Sequence, residues 1–90
     1  MHTNSRAAII NTVSDCCYEH GYHHRVSELQ DAIICSIWPR DRKENDGCIN
    51  VVVSGFEARK MQGLEDLARQ RFNSARKELE QYLAKETTCN

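Results

Sequence analysis

Ser27-Glu28-Leu29-Gln30-Asp31-Ala32-Ile33-Ile34-Cys35-Ser36-Ile37-Trp38-Pro39 is the stretch on which the architecture of this chain turns. Ser27, followed three residues later by Gln30, fits a capping box at the start of a helix. Leu29, Ile33 and Ile37 recur at helical spacing, and Ile34 and Trp38 widen the stripe. Pro39 closes the element, because the residue before a proline is pushed out of the helical region. These features predict a helix over 27–38. The β-branched run Cys48-Ile49-Asn50-Val51-Val52-Val53 predicts a buried strand over 48–53. A lone strand leaves its backbone groups unsatisfied. Its partner is either residues 34–39 in extended form, making a hairpin, or the same strand of a second subunit.

Between these elements lies a charged loop over 39–47, in which Asn45-Asp46-Gly47 is the strongest turn signal of the chain. Downstream, Ser54 and Glu57 form a second capping box. Phe56, Leu64, Ala68, Phe72, Ala75, Leu79, Tyr82 and Leu83 then recur at steps of mostly three and four, which predicts a long helix over 55–86. Gly63 is its weak point and the place for a kink, since glycine costs ~1 kcal/mol against alanine inside a helix. Upstream, Thr3, Asn4 and Ser5 can each cap a helix over 5–20 whose face carries Ile9, Ile10, Val13, Cys16 and Cys17. Gly21 is placed to end it in the left-handed conformation. The expected fold is mainly α with a minor β element: two short helices, a charged loop, one strand and a long C-terminal helix.

Ninety residues make a single domain over 1–90, and one this small has a thin core. A composition 40% hydrophobic and 28% charged is that of a globular protein. The net charge of −1 supplies no global field toward DNA or an anionic membrane. The polar start, Met1-His2-Thr3-Asn4-Ser5-Arg6, does not read as an export signal, and no apolar run approaches the ~20 residues of a membrane span. The five cysteines are odd in number. They are expected to be reduced thiols in a cytoplasmic protein with no membrane association.

Cys16, Cys17, His20, His23 and His24 form the sharpest chemical cluster. If a metal were held, Cys17, His20 and His24 would be its ligands, with Cys35 or Cys48 completing a tetrahedron. The spacing lacks a paired Cys-x-x-Cys knuckle, and small buried cysteines explain it more simply. No metal and no cofactor are expected. A Cys–His nucleophile pair needs an orienting third group, and no phosphate loop or hydrolase motif is present, so no catalytic residue is assigned.

Arg69, Arg71, Arg76 and Lys77 lie in the acid-free run 69–77 and could meet phosphates. Arg69 and Arg71 point well apart on a helix, however, and Glu65, Asp66, Glu78 and Glu80 bracket the run. Residues 7–34, with Glu19-His20-Gly21-Tyr22 and then Val26-Ser27-Glu28-Leu29 and Ile33, resemble the first two helices of a helix-turn-helix repressor of the Tet type. The resemblance implies DNA binding. Where its recognition helix should follow, this chain has Trp38-Pro39 and the charged loop, so no DNA-contacting residue is carried over.

By elimination, the chain reads as a small non-enzymatic binding module that docks onto a larger protein to regulate or inhibit it. Trp38, Arg40, Arg42 and Lys43 are the expected partner-binding residues, since tryptophan and arginine are favoured at binding hot spots. A homodimer is expected through Phe72, Ala75, Leu79, Tyr82 and Leu83, because a continuous third helix would overhang so small a domain. The alternative is a nucleic-acid-binding regulator using the N-terminal helix pair and the basic run.

Overall fold

A computed structural model describes residues 3–60 and 63–88. In chain order it contains α1 (Thr3–His20), β1 (Tyr22–Leu29), β2 (Ala32–Pro39), β3 (Ile49–Ser54), α2 (Gly55–Lys60) and α3 (Leu64–Thr88), with a 3-10 turn at Glu44–Asp46. The three strands form one antiparallel sheet in the order β1-β2-β3.

The expected helix over 27–38 is therefore corrected: these residues are the end of β1, a tight turn and most of β2. The fold is mixed α/β rather than mainly α with one strand. Ile33, Cys35 and Ile37 are fully buried, an alternation that lays all three on one side of β2. A helix would have placed Ile34 and Trp38 on that side too. The strand expected over 48–53 finds its partner within the chain: Ile37 faces Ile49, Cys35 faces Val51 and Ile33 faces Val53.

The turn joining β1 to β2 explains why the hairpin was hidden. Leu29 pairs with Ala32, so only Gln30 and Asp31 connect the strands. Neither has a positive φ, so the turn is not one of the mirror-image types that announce themselves with glycine or asparagine. Distant residues hold it instead. The Arg6 guanidinium donates to the carbonyls of Leu29 and Gln30, at 2.6 Å each. The Gly55 N–H donates to the Asp31 carbonyl at 2.7 Å, and Arg59 pairs with the Asp31 carboxylate at 3.3 Å. A β-carbon at Gly55 would push the Asp31 carboxyl aside.

Both long helices cover one face of the sheet. Ile9, Val13, Cys16 and Cys17 of α1 meet Ile33, Cys35, Ile37, Val51 and Val53 of the sheet and Leu67, Ala68 and Phe72 of α3 in a single core. Gly21, at φ 74°, turns the chain out of α1. Ser54 caps α2: its hydroxyl accepts from the Glu57 N–H and donates to the Glu57 carboxylate, at 3.1 Å each. The apolar stripe expected over 55–86 is divided between α2 and α3, and Gly63, at φ 96°, stands outside both helices.

Candidate docking surface

In a strand, successive side chains point to opposite faces. With Tyr22, Ile33, Cys35, Ile37, Val51 and Val53 turned to the helices, the other face of the sheet carries three rows with no helix over them among the described residues. His23, Arg25, Ser27 and Leu29 come from β1, Ala32, Ile34, Ser36 and Trp38 from β2, and Asn50 and Val52 from β3. The cross-strand register sorts this open face into two ends and a polar middle.

At one end, Leu29 lies beside Ala32 and Ile34 beside Val52, giving a continuous apolar patch. Leu29 is 52% exposed and Val52 39% exposed. Phe56, at the start of α2, is exposed as well. The middle row is tied down by polar bonds. The Ser36 hydroxyl lies 2.7 Å from Asn50 Oδ1, and Arg25 pairs with Glu44 of the loop at 2.8 Å. At the other end the rings of His23 and Trp38 sit 5.8 Å apart.

Of the expected partner-binding residues, Trp38 lies on this face, half-buried. Arg40 instead turns to α1, its guanidinium 5.4 Å from the centre of the Tyr18 ring. Arg42 is half-buried in the loop and Lys43 is exposed there. The structure does not bring the four together as one surface. The helical spacing of Leu29, Ile33 and Ile37 masks in the sequence the alternation that puts Leu29 and Ile34 on this face beside Val52.

Of the residues expected to pair two copies through the third helix, three turn inward. Phe72, Ala75 and Leu79 are buried in this chain's own core, with Leu79 only 2% exposed, so their apolar surface is already covered. Phe72 sits against the rings of His20 and Tyr22, with centroids 5.6 and 6.0 Å away. Tyr82 is exposed and Leu83 half-buried, both beside Gly47 of the loop.

The basic run is also divided. Arg69 approaches the Cys16 sulfur at 3.8 Å, Arg71 pairs with Glu57, and Arg76 pairs with Glu80 at 3.1 Å, while Lys77 is exposed. Three arginines committed to separate neighbours do not form one phosphate-binding stripe. The helix pair of the repressor resemblance is absent, since residues 22–34 belong to the hairpin.

Cys17 is buried in the core, His20 is exposed against Phe72, and His24 is half-buried on β1. Among the described residues, no three histidine, cysteine or acidic side chains are placed to hold a metal ion. Burial first, and then the neighbouring Cys35 and Cys16 thiols, push Cys17 up to about 12. Burial alone pushes Cys35 up to about 11, and Cys16 is raised for the same leading reason. At neutral pH these three are thiols rather than nucleophilic thiolates. Tyr22 is raised to about 12 by burial and by Glu80, whose carboxylate accepts its hydroxyl at 3.1 Å.

Among the described residues, no helix is long and apolar enough to cross a membrane. Comparison with protein-family models, with curated proteins and with solved structures finds no match for this chain.

Proposed function

We propose that this chain is a small non-enzymatic protein-binding module that docks onto a larger protein through the open face of its sheet and so regulates or inhibits it. The observation that supports this reading is the uncovered apolar patch of Leu29, Ala32, Ile34 and Val52 beside a polar middle row. An exposed apolar patch bordered by polar residues marks a protein interface. Trp38 extends the surface at its far end and supplies the aromatic anchor such interfaces favour. The module works in the cytoplasm, where Cys16, Cys17 and Cys35 stay reduced.

The test is affinity capture from the native host, comparing the wild-type chain with Leu29→Asp, read by mass spectrometry. A protein retained by the wild type and lost with the folded variant is expected. Retention should change little between low and high salt, because an apolar contact releases few counterions. Equal retention by both chains would overturn the reading. Capture of nucleic acid that falls steeply with salt would replace it with the phosphate-binding alternative.

A further inference from the structure

We infer that two copies of this chain pair through the free edges of β3, joining their sheets into one continuous sheet across a two-fold axis at Val51. Among the described residues β3 is an edge strand, its ladder hydrogen bonds made to β2 on one side. The Arg71 guanidinium reaches the Val52 carbonyl from the other side, at a long 3.4 Å, and a pairing strand displaces it from there. That contact shows which way the backbone faces: Val52, and by alternation Asn50, direct their N–H and C=O groups outward. Edges of this kind are templates for a further strand.

The groove along this edge is built for an antiparallel copy of itself. It has a volume of about 450 Å³ and runs between β3 and one flank of α3. Arg71 stands at its Val52 end, and Glu78 lies toward Ile49 and Cys48 at the other. The small residues Ser74 and Ala75 lie between them. Placing the axis at Val51 sets Val52 opposite the partner's Asn50, and Asn50 opposite the partner's Val52. Each such pair exchanges N–H to C=O hydrogen bonds in both directions. The same operation sets Arg71, paired with Glu57 in the single chain, across from the partner's Glu78, so unlike charges meet at both ends of the interface. Between the charged ends the small, exposed Ser74 of α3 faces the partner, whereas Ala75 is buried in this chain's own core. A two-fold interface must be complementary to itself, and this edge is.

Area points the same way, and this part of the case rests on the docking reading. Two strands of eight residues and one of six, ~4.8 Å apart at ~3.4 Å per residue, present roughly 360 Å². A standard interface uses about 800 Å² on each partner. Two sheets joined at β3 present about that much, with both open faces on one side.

Light scattering after size exclusion, in reducing agent because Cys48 is exposed, reads the mass without any docking partner. A dimer mass is expected at 100 μM. Asn50→Pro removes an N–H that faces the free edge and leaves the β2 ladder intact. A folded monomer is expected from it. Glu78→Arg should raise the dissociation constant at least tenfold, and adding Arg71→Glu to it should restore the dimer. Leu29→Asp should leave the dimer intact, which separates this test from the docking test. A wild-type monomer at 100 μM, or a dimer indifferent to both Asn50→Pro and Glu78→Arg, would overturn the inference. Should Asn50→Pro fail to fold, the charge reversal and its rescue decide alone.

Discussion

Leu79→Asp and Leu29→Asp have opposite expected outcomes, and the contrast follows from which face of which element each residue occupies. Leu79 is 2% exposed, on the side of α3 that meets the core, whereas Leu29 is 52% exposed on the open face of β1. Truncating a buried leucine to alanine costs about 2–5 kcal/mol. A carboxylate in the same place adds the cost of taking a charge out of water, unless it stays protonated. Glu78 beside it adds like-charge repulsion. A 90-residue domain has roughly 4–14 kcal/mol of stability in total. A loss of at least about 4 kcal/mol therefore removes from about a third to all of that stability in Leu79→Asp, a fall in Tm of tens of degrees or complete unfolding. Leu29→Asp buries nothing, and its expected cost is below about 1 kcal/mol, a fall in Tm of less than ~8 °C. Thermal melting followed by circular dichroism at pH 7 reads both. A folded Leu79→Asp with near wild-type Tm, together with an unfolded Leu29→Asp, would refute the assignment of core and open face.

Gly55→Ala should lower stability by less than about 1 kcal/mol in a thermal melt, because its β-carbon meets the exposed Asp31 carboxyl, which swings away from Arg59 at the cost of one surface ion pair. Stability should also fall in alkali. Cys17 and Cys35 rise from 9.0 to about 12 and about 11 on folding, and Tyr22 from 10.0 to about 12. The folded state therefore holds protons that the unfolded state releases, so stability is full below pH 9 and declines as pH climbs from 9 toward 12. Urea midpoints at pH 8 and pH 10.5 in reducing agent should show the drop, and equal midpoints would count against the buried placement. In a Cys89→Ser chain, a thiol reagent should titrate Cys48 promptly and reach Cys16, Cys17 and Cys35 only in denaturant.

Local signals in this sequence were legible where local geometry sufficed. Gly21 turns the chain out of the first helix, Ser54 and Glu57 mark the start of another, and the stripe through Ala68, Phe72, Ala75 and Leu79 is buried as a stripe should be. The stretch 27–38 was misread because two periods coincide there. Ile33 and Ile37 fall on one face of a helix at a spacing of four and on one face of a strand as alternate pairs. Cys35, small and able to pack in either setting, did not break the tie. A turn signal at Gln30-Asp31 would have broken it, but that turn is stabilised by Arg6, Gly55 and Arg59 from other elements. The candidate surface was legible only at Trp38. Leu29, Ile34 and Val52 become a patch only once the strand register is known.

The open face exists only if residues 22–39 form a hairpin in the middle of the chain. Nuclear Overhauser contacts in the isotope-labelled protein test this most directly. Close backbone contacts from Cys35 to both Val26 and Val51 are expected, since the register places Cys35 between them. Helical contacts three residues apart across 27–38, with none from Cys35 to Val26, would contradict the hairpin and remove the docking face with it.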